Sequence, residues 1–466
     1  MSTSIIPLKL VRVASIGIIV FIFSQCQKQI DKGLTQHEEI ATAANQTHGH
    51  LQQTKTFPSD VVLKWLDMKY RILLQPQQLQ REVVRSLVVR YYGYLGIALY
   101  ESVVPGMPAY QSLSHQLSGM PQMPATENGK AYHWPASANA ALAFIHKNFL
   151  PFTSTVNKAA MDSLEKALNK QYQDEVNAAN FQRSVAFGRE VAKRIIDWSL
   201  TDGTFTEWPN YVPPAGPGLW VPTAPNFFAA RGVHFGDQRT FMPGVMAAAF
   251  PTAPPPYSTD PASEFFKAEK EVYDISQKRT PADSKQAIYW NGSAGGTPAI
   301  HWFMILKKLL IQNSTMLDQS ALAYCKIGIC QYDAAVVAFK SQFTYNMLRP
   351  ITYIRHVLGY STWLPFMTPG APNPDWPDGT ITDFSGSAKA LSSMFGENFI
   401  FNTDGTHHDA AMSKGYTFNS FEEAAEHAAT GRFITGVSTE ASTNVGIQIG
   451  FKTGDYMDNR IKFLKD

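Results

Sequence analysis

Residues 317–343 read LDQSALAYCKIGICQYDAAVVAFKSQF, a strongly apolar run in which large apolar side chains recur at helical spacing. Residues 81–104, REVVRSLVVRYYGYLGIALYESVV, have the same character. The alternation of apolar and polar residues that is typical of half-buried strands reaches no convincing length in the chain. These two runs predict core helices, and the fold class that they indicate is all-α.

Shorter runs at helical spacing predict the remaining helices. They cover residues 60–74, 138–150, 161–176, 181–200, 263–277, 301–312, 385–399 and 420–437. Two stretches rich in proline, glycine and aromatic residues interrupt them, at 209–261 and 366–380. Because an unstructured loop as long as the first would be unusual, we expect its aromatic side chains to hold it against the helices.

The N-terminus has the layout of a secretory signal. Lys9 and Arg12 precede an uncharged run at 13–23, which is too short and too early for a typical membrane span. The run ends in FSQC, which resembles the lipobox of bacterial lipoproteins, where the cysteine, here Cys26, carries the lipid. We predict a lipoprotein signal peptide at 1–26 and an exported, membrane-anchored protein, periplasmic or on the cell surface. An uncleaved anchor helix is the alternative, and it also tethers the chain to a membrane.

The rest of the chain divides into a tether and a folded domain. Residues 27–57 are polar and lack sustained apolar periodicity, which predicts a flexible tether. The domain is expected to span 58–466, and a hydrophobic content of 44% is ample for a large core. With a net charge of +2 and only 17% charged residues, the chain offers no basic face for nucleic acid, so we exclude that class of partner.

Two cysteines follow Cys26 in the sequence, Cys325 and Cys330. A short-loop disulfide is conceivable in an oxidising compartment. Five residues apart on one helix, however, the two side chains point to different sides, which favours two buried free thiols.

Three segments in the last third of the chain carry the candidate chemistry: QFTYNMLRP at 342–350, PDGT at 377–380 and GRFITGVS at 431–438. They resemble the three motifs of the vanadium-dependent haloperoxidase and type-2 phosphatidic acid phosphatase superfamily. Those motifs are a lysine seven residues before Arg-Pro, then Pro-Ser-Gly-His, then Ser-Arg with a histidine six residues after the arginine. Other stretches that resemble the family lie at 90–110, 218–225, 234–241 and 418–432. The resemblance implies two packed four-helix bundles, with the site in the core of the C-terminal one.

The resemblance also implies which positions would hold an oxyanion. The retained positions are Arg349, Gly379 and Arg432. Five positions are replaced: Gln342 stands for the lysine, Asp378 and Gly431 for serines, and Thr380 and Ser438 for the two histidines. In the family the last histidine bonds vanadium or attacks phosphorus.

These replacements weaken the site physically. Losing the lysine and gaining the carboxylate of Asp378 lowers the nominal local charge from +3 to +1. A serine at 438 supplies no imidazole nitrogen, either for vanadium or for a phosphohistidine. Lys340, two residues before Gln342, would face another side of the helix and does not replace the lost cation. The sequence therefore offers no catalytic residue.

Two interpretations of the remaining arginines stay open. Asp378 could pair with Arg349 or Arg432 and turn the anion site into a buried salt bridge, or the site could persist as a weakened pocket for an anion or polar ligand. The first hypothesis for function is a non-catalytic or repurposed lipoprotein without a cofactor, which binds an unknown small ligand or protein partner. The alternative is an active enzyme, either a vanadate-dependent haloperoxidase that oxidises halide with hydrogen peroxide or a phosphoester phosphatase.

A second polar cluster, TDGTHHDAAM, contains Asp404, His407, His408 and Asp409. Adjacent histidines in a polar loop more often face solvent than bind metal, so we predict no metal there. His301, in an apolar helix, is expected to be a core residue.

Overall fold

The computed structural model describes residues 52–73, 85–150, 153–291, 299–367, 371–407 and 412–465. The predicted signal peptide at 1–26, the lipid attachment site Cys26 and most of the predicted tether lie outside these residues. The helices in order are α1 (Asp60–Leu73), α2 (Arg85–Val103), α3 (Trp134–Phe149), α4 (Thr155–Glu175), α5 (Ala178–Ser199), α6 (Val245–Ala249), α7 (Glu264–Lys278), α8 (Pro281–Asn291), α9 (Ala299–Gln312), α10 (Leu317–Tyr345), α11 (Pro350–His356), α12 (Gly379–Phe395), α13 (Phe421–Ile434) and α14 (Glu440–Arg460). The described residues also contain one small sheet, in which β1 (Phe401–Asn402) pairs antiparallel with β2 (Thr417–Phe418). The all-α prediction is confirmed.

Helix α10 lies at the centre of the molecule. Among the described residues it is the one helix long and apolar enough to cross a membrane, but 94% of its most apolar 18-residue stretch is buried in the protein. Such a composition is equally expected of a core helix. Cys325 and Cys330 lie on α10 as buried free thiols, as the helical spacing predicts.

Helices from both halves of the chain pack on α10. On one side it contacts α2, which packs in turn on α3 and α5; on the other it contacts α12 and α14. The α2 contact requires glycine, because a Cβ atom on Gly96 would overlap with the carbonyl oxygen of Tyr324. A Cβ atom on Gly450 of α14 would likewise lie 2.5 Å from the backbone nitrogen of Gly386 on α12. These close approaches hold α2 against α10 and α14 against α12.

The long proline-rich segment is held in place by buried aromatic side chains and by one carboxylate. Trp220 is buried, and its indole nitrogen donates to the carbonyl of Ala371. Further along, the buried carboxylate of Asp333 on α10 accepts hydrogen bonds from the backbone nitrogens of Phe241 and Met242, at 2.7 and 2.8 Å. The segment therefore runs as an ordered connection across α10.

Helix α12 begins six residues before the helix predicted at 385–399. Its N-terminus is capped by Asp378, whose carboxylate accepts a hydrogen bond from the backbone nitrogen of Ile381 at 3.1 Å. Aspartate is among the preferred N-cap residues, because its oxygen satisfies a backbone donor that the helix leaves free. The longer helix brings Asp378 into the C-terminal core, where the candidate site lies.

Lys69 of α1 is a fully buried amine. Its Nζ lies 3.8 Å from the ring centroid of Tyr92 and 4.7 Å from that of Phe303. Within the described part of the chain this nitrogen has no hydrogen-bond partner, and burial lowers the pKa of Lys69 well below its ordinary value.

We therefore expect Lys69→Met to raise the free energy of unfolding at pH 7 by about 1–4 kcal/mol, the range seen when buried ionic groups are replaced by apolar ones. Because the pKa is depressed only in the folded state, the native protein excludes a proton that the unfolded chain binds. The loss of stability caused by burying Lys69 is therefore present at neutral pH and disappears as the pH rises towards the unfolded pKa near 10.5. Urea denaturation of the wild type and Lys69→Met at pH 7 and pH 10 measures this loss, with the exposed Lys193→Met as control. A stability difference that does not shrink with pH would refute the explanation.

Candidate functional site

The candidate site forms where the ends of four elements meet. Arg349 directly precedes α11, Asp378 caps α12, Arg432 lies in the last turn of α13 and Ser438 lies in the turn before α14. The side chains of Asp378 and Ser438 are buried, and those of the arginines are only 4% and 11% exposed. The structure thus brings together four residues that are far apart in the sequence.

Asp378 is the centre of this group. Its Oδ2 accepts a hydrogen bond from Nε of Arg432 at 2.8 Å and another from Oγ of Ser438 at 2.7 Å, while Oδ1 caps α12. Burial alone would raise the pKa of this carboxyl group. The charges of Arg432 and Arg349 and the two hydrogen bonds outweigh burial and lower the pKa to about 2. Asp378 is therefore a fixed internal anion at neutral pH.

Arg349 is fully engaged by protein acceptors. Its Nε donates to the carbonyl of Asn373 and its Nη2 to that of Pro374, both at 2.9 Å. Its Nη1 donates to Oγ of Ser438 at 2.9 Å and lies 3.3 Å from Oδ1 of Asp375. Each nitrogen of the guanidinium group thus has a partner in the folded chain.

Asp375 is one of the site residues that the sequence reasoning missed. It is fully buried, and Oδ1 accepts hydrogen bonds from Oγ of Ser442 at 2.6 Å and from the backbone nitrogen of Trp376 at 3.0 Å. Burial raises its pKa, against the opposing effect of Arg349. When both aspartates are ionised, the two arginines are balanced by two carboxylates. In that state the nominal local charge is zero, compared with the +1 expected when only Asp378 was counted.

A third acid, Glu269 of α7, lies close to this group. It is 1% exposed, and neither carboxylate oxygen has a hydrogen-bond partner among the described residues. Burial and the charge of Asp375 raise its pKa well above the ordinary value, although Arg349 acts in the opposite direction. The sequence carried a signal for it, because Glu269 shares a helical face with the buried Phe265 and Val272.

We expect the free energy of unfolding of Glu269→Gln to exceed that of the wild type by more at pH 7 than at pH 4. A raised folded pKa means that the native state holds a proton that the unfolded state has released, so this group lowers stability progressively as the pH rises above the unfolded value of 4.5. Glutamine does not ionise, so the variant does not lose stability in this way. Denaturant unfolding of both proteins between pH 4 and pH 8 measures the difference in their free energies of unfolding, and the exposed Glu397→Gln is the control. A difference that does not change with pH would show that Glu269 is ionised in the native state.

Gln342, the position of the expected lysine, supports the backbone of the site. It is buried, its amide nitrogen donates to the carbonyl of Pro377 at 2.8 Å, and its oxygen accepts from Asn373 at 2.8 Å. Lys340 points elsewhere and forms an ion pair with Asp237 at 2.7 Å, as the helical rotation predicts. No lysine replaces the missing cation within the described site.

The other motif positions follow local packing. A Cβ atom on Gly431 would lie 3.1 Å from the carbonyl oxygen of Gln286 and 3.3 Å from a ring carbon of Trp290, so α13 packs closely on α8 there. Gly379 is the buried first residue of α12. Thr380 follows it, partly exposed, and makes no side-chain hydrogen bond to the aspartates or arginines of the described site.

Arg432 has a second partner that the sequence reasoning missed. Its Nη1 donates to the side-chain oxygen of Asn291, the last residue of α8, at 2.9 Å. Asn291, Asn373 and Ser442 are ordinary polar residues that no motif marks, and their roles follow only from the tertiary fold.

The polar cluster after β1 differs from expectation in one respect. His407 is buried rather than solvent-facing, because it packs against the rings of Tyr289 and His301, at 5.4 and 5.6 Å between centroids. His301 is a core residue, as predicted, with Nε2 at 3.2 Å from Oγ1 of Thr406. His408 and Asp409 lie outside the described residues, and within those residues no group of three or more His, Cys, Asp or Glu side chains could hold a metal ion.

Comparisons with known proteins bear on the fold that carries this site. A family model described as the VCPO second helical-bundle domain matches residues 323–465. The crystal structure of the first bacterial vanadium-dependent iodoperoxidase is 26% identical, with a TM-score of 0.76, and the match covers 88% of this chain and 98% of that one. The holo form of a bacterial vanadium-dependent chloroperoxidase is 15% identical, with a TM-score of 0.60, over 80% of this chain and 91% of the other. No protein with curated annotation is similar enough in sequence to match. The family-model match over residues 323–465 and the fold shared with the bacterial iodoperoxidase support membership of the vanadium haloperoxidase superfamily.

Proposed function

We propose that this chain is a non-catalytic member of the superfamily, in which the carboxylate of Asp378 takes the part of a bound oxyanion. One observation carries the proposal: Oδ2 of Asp378 accepts hydrogen bonds from both Arg432 and Ser438 at the N-terminus of α12. Arginine donors and a helix N-terminus are what an oxyanion site offers a ligand. Here a side chain of the protein uses them.

The residues present do not fit vanadate. Ser438 supplies a hydroxyl group where the resemblance expects an imidazole, and that hydroxyl already donates to Asp378. The guanidinium nitrogens of Arg349 are engaged by the protein. A vanadate ion would also meet the negative charge of Asp378, and two like charges about 4 Å apart repel by roughly 4 kcal/mol at an effective dielectric constant near 20. These contacts favour a protein without a cofactor.

A serine nucleophile is also poorly supported. Ser438 would need a base, and the carboxylate that accepts its hydrogen bond is that of Asp378, whose pKa is about 2. A base with so low a pKa takes up a proton from a hydroxyl group only at great cost near pH 7. The charges and hydrogen bonds that keep Asp378 ionised thus leave Ser438 without a base that could deprotonate it.

In this proposal the inherited helical scaffold serves binding rather than chemistry. The chain would be exported, anchored to a membrane through a lipid on Cys26, and would present its folded part to a small ligand or protein partner. The second candidate is an active vanadium-dependent enzyme, a haloperoxidase or a phosphatase. It is favoured by the 26% identity with the bacterial iodoperoxidase over 88% of this chain.

Titration of orthovanadate into the purified full chain distinguishes the two candidates. We expect no heat of binding up to millimolar vanadate, no peroxide-dependent oxidation of iodide and no hydrolysis of p-nitrophenyl phosphate. The bacterial iodoperoxidase, assayed in parallel, is the positive control for the first two measurements. Stoichiometric vanadate binding with turnover would overturn the non-catalytic proposal.

A further inference from the structure

A cavity of about 700 Å³ opens beside the central helix α10. None of its lining residues belongs to the site formed by Arg349, Asp378, Arg432 and Ser438, called the arginine site below. It lies between the end of α9, the first half of α10, the end of α12 and the C-terminal residues 461–465. Pockets for organic ligands typically measure about 300–1,000 Å³. The cavity is therefore large enough for a small organic molecule.

The charges that line this cavity are unbalanced. Its side chains that are charged at neutral pH are three lysines, Lys326, Lys462 and Lys465, and one carboxylate, Asp458, which gives a nominal charge of 3 − 1 = +2. Lysine side chains at such a density favour an anionic ligand and repel a cationic one.

Lys326 is the cation that a ligand would meet deep in the cavity. The residue is only 9% exposed, and its ammonium donates to Oγ of Ser393 at 2.9 Å and to Oδ1 of Asp458 at 3.0 Å. An ammonium group has three donors, so one remains for a further acceptor. Asp458 and Ser393 also fix the position of the amine, which lowers the entropy cost of binding a ligand there.

The remaining lining is mixed. Its polar side chains include Asn313, Thr315 and Gln319, and its apolar walls are formed by Leu310, Leu322, Met394, Phe395, Ile461 and Phe463. Burying hydrocarbon against such walls stabilises a complex by about 25 cal/mol for each Å² removed from water. A bare inorganic anion would leave these walls unused, and a neutral lipid would leave the lysines without a partner.

We propose that this cavity binds a hydrophobic monocarboxylate of the fatty-acid class. The carboxylate accepts a charge-assisted hydrogen bond from Lys326, the hydrocarbon chain lies against the apolar walls, and Lys462 and Lys465 attract the anion at the mouth. This site is independent of the arginine site and of whether that site is catalytic.

Calorimetric titration of the full chain with dodecanoate, below its micelle concentration, tests the proposal. We expect one saturable site, with much weaker binding of dodecanol, which lacks the charge, and of acetate, which lacks the chain. Lys326→Met should weaken binding about tenfold or more, and Leu322→Trp, which fills the cavity, should abolish it. Lys193→Met, an exposed residue outside the cavity, should bind as the wild type does.

A surface variant guards against misfolding of the core variants. Lys462→Met changes an exposed side chain at the mouth and should weaken dodecanoate binding about twofold to threefold while leaving the thermal unfolding profile unchanged. Absence of saturable dodecanoate binding to the wild type would overturn the proposal. So would wild-type affinity in a folded Lys326→Met or Leu322→Trp protein, because the ligand would then bind elsewhere.

Discussion

Asp378→Ser is expected to lower the free energy of unfolding by about 3–5 kcal/mol, the cost of removing one partner from a buried ion pair. The substitution leaves Arg432 with a buried charge and deprives Ser438 of its acceptor. Serine is as good an N-cap as aspartate, so the cap of α12 is retained and the loss reports on the charge. Denaturant unfolding measures it, and Asp197→Asn, which breaks an exposed ion pair with Lys193, should cost less than about 1 kcal/mol.

The same variant should regain stability when an oxyanion is added. Removing the carboxylate opens the place between Arg432 and Ser438, so phosphate or vanadate can take it. At one hundred times its dissociation constant, a ligand that binds only the native state adds about 2.7 kcal/mol. Asp378→Asn is the matched control, because it removes the charge but leaves the space filled. If phosphate stabilises the wild type as much as Asp378→Ser, then Asp378 does not occupy the anion position.

Arg349→Lys should destabilise the protein by about 3 kcal/mol or more, although it keeps the positive charge. The guanidinium group satisfies the carbonyls of Asn373 and Pro374 together with Ser438 and Asp375. An ammonium group has three donors and cannot reproduce this planar pattern. Each buried carbonyl left without a donor costs about 1–3 kcal/mol.

The measurement is again denaturant unfolding, compared with Arg194→Lys, whose partly exposed guanidinium group pairs with Glu190 and donates to the carbonyl of Gln122. That control should change stability by no more than about 1 kcal/mol. A loss equally small for Arg349→Lys would mean that the charge of Arg349, and not its hydrogen-bonding geometry, holds the site together.

The long helices could be predicted from sequence because their signal is local. In 317–343 and 81–104, the apolar side chains repeat over a whole buried helix, and tertiary packing reinforces the pattern. The start of α12 at Gly379 was harder to predict, since the proline-rich stretch masks it and the signal is the single cap residue Asp378.

The site could be predicted only where a motif marks it. Arg349, Arg432, Asp378 and Ser438 stand at motif positions, so the sequence indicated a cluster and the loss of its imidazoles. Asp375 could not be assigned, because its role depends on Ser442 and Arg349, which lie 67 and 26 residues away. Glu269 comes from a helix outside every motif.

These missed acids change the electrostatic argument. One introduced carboxylate beside two arginines suggested a weakened but still positive pocket. With Asp375 ionised the described charges cancel, and the buried Glu269 adds an acid whose ionised form would make the group negative. The polarity of an inherited site therefore depends on residues that a motif comparison does not include.

The most direct test of the central claim is a crystal structure of the protein grown in millimolar orthovanadate, with diffraction recorded at a wavelength where vanadium scatters anomalously. We expect the carboxylate of Asp378 between Arg432 and Ser438, with hydrogen bonds near 2.8 and 2.7 Å, and no anomalous peak at the site. A vanadium peak beside Arg349 and Arg432, with Asp378 turned away, would contradict the account and make this chain a vanadate-binding protein.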